Sequence, residues 1–247
     1  MVVERHLFPP ASLSRRCLLG GTFAIAAPVI LGVRRAAAAQ EQDVTELLAA
    51  ASQQLAEVQS MHFTLDVEGE TLIDDSGAIR LENAEGDMAR PDKVVVEFRV
   101  SILGAGSVSI RMITIGDTSW TTDLITGNWG DAPPEFGYNP IVLYDNQDGL
   151  GPVMGKLENA TIAGTEEVNE RQAYLVTGTV DSAIINTLTA GTMGGDEVAV
   201  QLWIDEETHD ILRVILEEGE VEGKDEPAVW TLNLSNFNQE VSIEPPS

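Results

Sequence analysis

Two stretches of the chain, from Met61 to Asp123 and from Glu197 to Phe237, alternate apolar and polar residues. Successive side chains of a β-strand point to opposite faces, so a period of two predicts strands with one covered and one solvated face. Clusters of Gly, Asp, Asn and Pro between the runs predict short turns, which join antiparallel neighbours. The runs predict strands at 61–70, 78–88, 93–103, 107–117 and 119–123, and three final strands around 198–204, 212–216 and 230–234.

The remaining segments contain apolar residues at helical spacing or turn residues in clusters. Asp43 and Asp181 each precede such a segment and are candidate N-caps. The sequence therefore predicts an α+β fold, in which helices cover the apolar face of a large antiparallel sheet. The further predicted elements are a helix at 43–60, a loop-rich stretch at 126–140, one or two short helices at 141–157, a hairpin at 161–167 and 171–180, and a short helix at 181–188.

The N-terminal segment is typical of an export signal. Arg15 and Arg16 precede an apolar run at 23–33 and a small-residue stretch at 36–39, the order found in twin-arginine signals. The run is short for a membrane span, which needs about 20 apolar residues. We expect residues 1–39 to be the signal and 40–247 to be one exported domain, with an uncleaved tether as the alternative. Cys17 lies before the apolar run, which argues against lipid attachment there.

The charge balance excludes several partners. The chain has 14 Lys+Arg and 40 Asp+Glu, a formal net charge of −26. Five basic residues and one acid precede the expected cleavage point, so the rest carries 9 basic and 39 acidic residues, a net of −30. Such a chain is repelled by nucleic acid and lacks the basic patch that attracts anionic lipid headgroups. Cys17 is the only cysteine, so the exported part has no disulfide, thiolate ligand or cysteine nucleophile.

Three local sequences and their order resemble a known family. They are Gly86 to Asp92, Ile115 to Trp129, and Leu202 to Asp205 followed by Thr208. Together with the element order, they make residues 44–241 similar to the LppX/LprA/LprF/LprG family of mycobacterial and related lipoproteins, whose fold is similar to the LolA/LolB carriers. The resemblance implies a curved antiparallel sheet, or half barrel, whose concave face is covered by helices around a cavity for acyl chains of envelope lipids. Family members normally carry a lipidated cysteine, which this chain lacks at the corresponding place.

The resemblance and the alternation together suggest which side chains contact a lipid. Apolar strand faces under amphipathic helices also describe an ordinary packed core, and periodicity does not distinguish the two. Aromatic residues near the loop-rich stretch are candidates for the cavity mouth, where a polar edge suits a headgroup boundary. The predicted cavity residues are Phe63, Leu65, Val96, Phe98, Val108, Ile110, Met112, Ile141, Leu150, Val153, Met154, Leu157, Ile184 and Leu188, and the predicted mouth residues are Trp120, Trp129, Phe136 and Tyr138.

No catalytic or metal-binding motif accompanies these features. His62 and His209 lie in no zinc-protease pattern, and the chain lacks nucleophile-elbow, P-loop and dinucleotide-binding glycine motifs. The acidic run 145–149 fails the spacing of a calcium loop. We therefore expect a non-enzymatic, monomeric carrier without cofactor or metal. Its expected partners are a lipid with two or three acyl chains, transiently a membrane, and a membrane transporter. The alternatives are a cavity-free envelope scaffold and, more remotely, a hydrolase.

Overall fold

The computed structural model describes residues 43–73, 77–132, 140–145, 147–221, 224 and 226–247. The chain divides into two compact units, residues 1–40 and 41–247, and all described residues belong to the second. The expected export signal, residues 1–39, lies outside the described residues. The signal and its cleavage therefore remain predictions.

The described part is rich in strands and contains only short helices. The longest helix, α1, has Asp43 as its N-cap, whose carboxylate accepts a hydrogen bond from the Thr45 amide. The elements are α1 (Val44–Glu57), β1 (Ser60–Glu68), β2 (Ile79–Ala89), β3 (Lys93–Ile102), β4 (Gly106–Ile115), β5 (Thr118–Thr122), β6 (Trp129–Asp131), a 3₁₀ helix (Pro140–Tyr144), α2 (Leu150–Met154), β7 (Glu158–Val168), β8 (Arg171–Asp181), α3 (Ser182–Ile185), β9 (Glu197–Asp205), β10 (Ile211–Glu218) and β11 (Val229–Ser235).

Three local predictions differ from the structure. The predicted helix 43–60 ends at Glu57, and Ser60 already belongs to β1. The predicted loop 126–140 contains β6, which pairs with β5 and has only three residues, too few to show a period of two. The predicted helix 181–188 is shorter, because α3 ends at Ile185 and turns follow it. Its predicted cap is confirmed, since the Asp181 carboxylate accepts a hydrogen bond from the Ala183 amide.

All eleven strands form one antiparallel sheet, in the order β6-β5-β4-β3-β2-β1-β11-β10-β9-β8-β7. The sheet consists of two meanders: β1 to β6 extend to one side, and β7 to β11 to the other. They join where β1 pairs with β11, with Phe63 opposite Leu234 and Leu65 opposite Leu232. This single long-range pairing brings the two ends of the domain together.

The register places apolar residues side by side across most of the sheet. Starting from Leu65, the residues directly opposite one another in successive strands are all apolar over nine strands. Their cross-strand row reads Ile110, Phe98, Ala84, Leu65, Leu232, Val214, Leu202, Val176 and Ile162, from β4 to β7. The neighbouring residue Thr64 faces Glu85 and Asn233, so the opposite face is polar there.

The helices lie over the apolar, concave face. Leu47, Leu48, Ala51 and Leu55 of α1 are buried and belong to one core with the strand residues and with α2 and α3. The predicted α+β class and the covered, curved antiparallel sheet are therefore confirmed. No described helix is long and apolar enough to cross a membrane.

Candidate functional site

An apolar pocket lies between the short helices and the second meander. Every residue that lines it is apolar, and its volume is about 20 Å³. Binding pockets for small molecules measure about 300–1,000 Å³, so an acyl chain does not fit in this conformation. The lining residues are Leu150, Val153, Met154, Leu157, Ile185, Leu188, Val200, Leu202, Val214 and Leu216.

The pocket brings together part of the predicted cavity set. Five predicted residues from the covering segments line it, namely Leu150, Val153, Met154, Leu157 and Leu188. Two others, Ile141 and Ile184, are half-buried and pack against the same core. The predicted strand residues lie on the concave face of the first meander and do not line this pocket; they are Phe63, Leu65, Val96, Phe98, Val108, Ile110 and Met112.

The strand wall of the pocket comes from β9 and β10. Val200 and Leu202 lie on β9, and Val214 and Leu216 lie on β10. They show the same alternation as the first meander and could have been selected on that signal alone. Their place in the pocket wall was not predicted, because alternation identifies the covered face of each strand and does not show which strands lie under which helix.

The concave face of the first meander is only partly covered. Leu65, Phe98 and Val108 remain half-buried, whereas Val96 and Met112 are fully buried. The half-buried residues lie towards the end of the strands where β3 turns into β4. Val100, directly opposite Val108, is itself buried, so only single side chains of this apolar surface remain partly exposed.

A larger groove lies on the outer side of α2. Its volume is about 590 Å³, and α1, the 3₁₀ helix, α2 and the start of β7 line it. Met154 and Leu157 line both this groove and the inner apolar pocket. The segment from α2 to Leu157 is thus a wall shared by the two spaces.

Helix α2 has little intrinsic stability. It has five residues, and its N-cap, Gly149, makes no side-chain capping hydrogen bond. Gly151 and Pro152 both lower helix propensity. Gly151 also permits a close approach to α1, because a Cβ there would lie 3.0 Å from the Ser52 Oγ. Packing against its neighbours, rather than its own hydrogen bonds, therefore holds α2 in place.

The groove contains an unsatisfied polar group. The Tyr144 hydroxyl is buried and has no hydrogen-bond partner among the described residues. Burial raises the pKa of this phenol, while nearby Arg90 acts in the opposite direction. The Arg90 guanidinium lies 4.4 Å from the Tyr144 ring centroid and donates hydrogen bonds to the Val58 and Leu55 carbonyls. It thereby holds the C-terminus of α1 beside the groove.

Of the four predicted mouth residues, the structure describes two, which lie on adjacent strands. Trp120 on β5 and Trp129 on β6 are both half-buried, and the Arg111 guanidinium lies 5.4 Å from the Trp129 ring centroid. Phe136 and Tyr138 lie outside the described residues. Their predicted position at the mouth therefore stays a prediction.

Two clusters of charged groups in the described part make structural contacts. The Arg171 guanidinium binds the Asp205 and Asp210 carboxylates at 2.8 Å each, which joins β8 to the β9–β10 turn. Lys224 pairs with Glu218, which also accepts hydrogen bonds from the Ala228 and Gly194 amides. Burial raises the Glu218 pKa, but these hydrogen bonds outweigh burial and leave its pKa below the ordinary value.

Neither histidine forms a catalytic or metal-binding cluster in the described residues. The His62 Nδ1 lies 2.9 Å from the Asp87 carboxylate on the polar face of β1 and β2. His209 lies in the β9–β10 turn with positive φ. In the part of the chain that the structure describes, no group of three or more His, Cys, Asp or Glu side chains could hold a metal ion.

The fold defines a class of α+β protein whose interior is lined by hydrocarbon side chains. It consists of an open antiparallel sheet with an apolar concave face, short covering helices and an apolar pocket beneath them. The model of the LppX_LprAFG lipoprotein family matches residues 43–243. The chain belongs to this family, so the resemblance noted from the sequence is confirmed.

Individual relatives support the same assignment. The chain is 24% identical over 194 residues to the lipoarabinomannan carrier protein LprG of Mycolicibacterium smegmatis, covering 76% of this chain and 77% of that protein. A segment of 74 residues is 34% identical to the putative diacylated glycolipid transporter LprF of Mycobacterium bovis, covering 30% of this chain and 28% of that protein.

Two solved structures share the fold. The crystal structure of LprF from Mycobacterium bovis superposes with a TM-score of 0.66 at 21% identity, over 83% of this chain and 97% of that one. The structure of the lipoprotein LppX from Mycobacterium tuberculosis superposes with a TM-score of 0.57 at 15% identity, over 81% of this chain and 98% of that one. These similarities show the fold alone.

Proposed function

We propose that this protein is an exported, non-catalytic carrier that shields the acyl chains of envelope lipids between its sheet and its short helices. The observation that carries the proposal is the apolar row across nine strands, with a helix-covered apolar pocket over its β9–β10 part. The printed names of its relatives, a lipoarabinomannan carrier and a putative diacylated glycolipid transporter, support lipids as the ligand class.

The energetics favour a carrier with an apolar interior. Each methylene in water costs about 0.8 kcal/mol, so a lipid with two chains of about 15 methylenes costs about 24 kcal/mol to transfer unaided. Polar contacts do not offset a cost of this size. An apolar concave face that replaces water around the chains does, while the headgroup stays outside.

Loading requires the pocket to expand, because its volume is about 20 Å³. We infer that α2 moves, since Met154 and Leu157 separate the pocket from the outer groove of about 590 Å³. Removing this wall joins the two spaces and exposes the apolar row. The short, uncapped helix is the element of the cover that costs least to displace.

The rest of the proposal concerns partners and location. The family is named for lipoproteins, which is consistent with an extracytoplasmic envelope location. From the sequence we propose export through the twin-arginine segment, with retention by an uncleaved segment as the alternative. A monomeric state is also proposed from the sequence. So are a lipid with two or three acyl chains, transient membrane contact and a membrane transporter as partner. We propose that no cofactor takes part.

One observation favours a second candidate. A pocket of about 20 Å³ is also what a packed core leaves behind, so the volume suits a cavity-free envelope scaffold without lipid ligand. The two candidates differ in one measurable property, because only the carrier takes up acyl chains.

Native mass spectrometry and uptake of a fluorescent fatty-acyl probe test the proposal. We expect the purified protein to retain lipid and to bind the probe after lipid removal. Leu216→Asp places a charge in the pocket wall and should weaken probe binding at least tenfold. Ile215→Asp is the matched control, because Ile215 is its half-buried neighbour on the opposite face. A protein that carries no lipid and binds no probe would favour the scaffold. Equal probe affinity of the two variants would instead contradict the assignment of the binding site to this pocket.

A further inference from the structure

Large apolar side chains are exposed in loops at one end of the strands. Among the residues that the structure describes, four large hydrophobic residues are exposed: Leu72 (37%), Leu103 (85%), Leu124 (40%) and Ile125 (93%). All four lie in loops. Leu72 lies between β1 and β2, Leu103 between β3 and β4, and the last two between β5 and β6.

The topology puts these three loops on the same side. Consecutive strands of the first meander are antiparallel neighbours, so β1, β3 and β5 run in the same direction. The loops that follow them therefore lie at the same end of the sheet. The first two loops are directly joined, because the Leu103 amide donates a hydrogen bond to the Ala78 carbonyl at 2.9 Å. The β5–β6 turn lies lower along the strands than the β3–β4 turn, because Thr121 near the end of β5 is opposite Met112 in β4. We call these four residues the apolar edge.

The local sequence of the apolar edge is unusual for this chain. Charged residues make up 22% of the chain, yet segments 102–107 and 124–130 contain none. Trp129 directly follows the second segment's turn and is half-buried, and Trp is enriched where protein meets the headgroup region of a membrane. The loop of Leu72 differs, because it contains Glu70, but the other two segments expose apolar residues with no charge among them, which is a mark of an interaction surface.

The turn that carries Ile125 is well ordered by hydrogen bonds. The Asp123 carboxylate accepts hydrogen bonds from the Ile125 amide at 3.0 Å, the Thr126 amide at 2.7 Å and the Thr126 hydroxyl at 2.8 Å. The Gly127 amide also donates to the Asp123 carbonyl at 2.9 Å. Ile125 is therefore held outward by a defined turn.

The apolar pocket reaches the same end of the strands as the apolar edge. The antiparallel order continues through β11, β10 and β9 to β8, so the end of β8, where α3 begins, lies at the edge reached by the end of β1. Ile185 of α3 and Val200, near the start of β9, line the pocket. The apolar edge and this part of the pocket therefore lie towards the same end of the strands.

We propose that the apolar edge docks the protein onto the surface of a lipid bilayer by inserting its hydrophobic loop residues among the headgroups. The inference rests on the proposed carrier function and adds the place of membrane contact. A few inserted side chains bury less hydrocarbon than one myristoyl chain, which by itself binds membranes only marginally and reversibly. The contact is accordingly transient, as a carrier that leaves the membrane needs. The net charge makes zwitterionic membranes the preferred surface, because anionic ones repel the chain.

Flotation of the full chain with phosphatidylcholine vesicles tests this inference. We expect the protein to co-float, and the double variant Leu103→Asp/Ile125→Asp to reduce the bound fraction at least tenfold. The control is Thr118→Asp/Asn169→Asp, which adds the same charge at two exposed positions on the opposite edge and should bind normally. Adding anionic lipid to the vesicles should weaken binding. Circular dichroism and thermal unfolding establish that all variants are folded.

Other outcomes overturn the inference. If the unmodified protein does not co-float, or if the edge variant binds as well as the control, the apolar edge is not the membrane-docking surface. If instead the edge variant converts a dimer into a monomer in sedimentation analysis without changing flotation, the occupant is a second copy of the chain. Uptake of the acyl probe from solution separates the two proposals. The edge variant should load normally from solution, whereas failure of the unmodified protein to load contradicts the carrier function and leaves the docking result standing by itself.

Discussion

A disulfide between α1 and α2 should stop lipid loading while it stabilises the fold. The Ser52 Oγ lies 3.0 Å, and the Ser52 Cα 3.9 Å, from the position of a Cβ on Gly151. These distances suit a disulfide, and Gly151 has a helical backbone that accepts any L-residue. The variant is Ser52→Cys/Gly151→Cys in a Cys17→Ser background, so that the new pair contains the only two thiols.

The magnitudes show why α2 can open in the unmodified protein. Leu150, Val153 and Met154 are now 1–6% exposed, and exposing each costs about 1.5–3 kcal/mol, or about 5–9 kcal/mol together. One inserted acyl chain of about 15 methylenes returns about 12 kcal/mol. Insertion of one chain therefore outweighs displacement of the helix, and the covalent link removes this route.

The same link should raise the stability of the protein. It closes a loop of about 100 residues, for which the entropic stabilisation is at most about 4.7 kcal/mol. At about 2–4 °C per kcal/mol for a domain of this size, the melting temperature rises by up to about 10–19 °C. This increase would show that a loading defect does not come from misfolding.

The assay compares oxidised and reduced protein from the same preparation by stopped-flow uptake of the fluorescent acyl probe. We expect the oxidised form to load at least tenfold more slowly and the reduced form to load at the unmodified rate. The single variant Ser52→Cys, treated with the same oxidant, controls for oxidation itself. Equal loading by a fully oxidised, thermally stabilised protein would refute the role of α2 as the moving wall.

Three further predictions concern stability. Tyr144→Phe should raise the free energy of unfolding in urea by about 1 kcal/mol, because it removes a buried hydroxyl without a partner in the described residues; a loss of stability would contradict this. Lys224→Met should cost about 3–5 kcal/mol, because it leaves the buried Glu218 carboxylate without its cation. The Glu218 pKa is lowered in the folded state, so its contribution to folding stability is present above the ordinary pKa of 4.5 and is lost as the pH falls through the folded pKa. In thermal melts at falling pH, the melting temperature should therefore decline less for Lys224→Met than for the unmodified protein. Asp43→Ala should cost about 1 kcal/mol by removing the N-cap of α1, measured against Glu57→Ala at the other end of the helix.

Most strands were predictable because their signal is local. Leu65 and its neighbours alternate by polarity whatever they pair with, and the turn residues between strands restrict the backbone directly. The three-residue β6 was missed because so short a strand forms only through its pairing with β5. The same reasoning applies to α3, whose cap Asp181 was identified although the helix ends at Ile185.

The candidate site was predictable only in part. Residues of the covering segments, such as Met154 and Leu188, were chosen from apolar spacing and do lie around one pocket. Their strand partners were expected from the first meander, whereas Val200 and Val214 of the second form the wall. The two meanders are equally apolar, so choosing between them requires knowing where each helix lies. The spacing of apolar residues in a helix does not contain that information.

By itself, the sequence determined most of the strands and helices, which face of each is apolar, and which family the chain resembles. These properties depend on neighbours a few positions apart. Only the tertiary structure decided that β1 pairs with β11, that β9 and β10 lie beneath α2, and that the pocket there has a volume of about 20 Å³. Pocket volume is the small difference between the space under the helices and the side chains that fill it, and those side chains come from positions as distant as Leu150 and Val214.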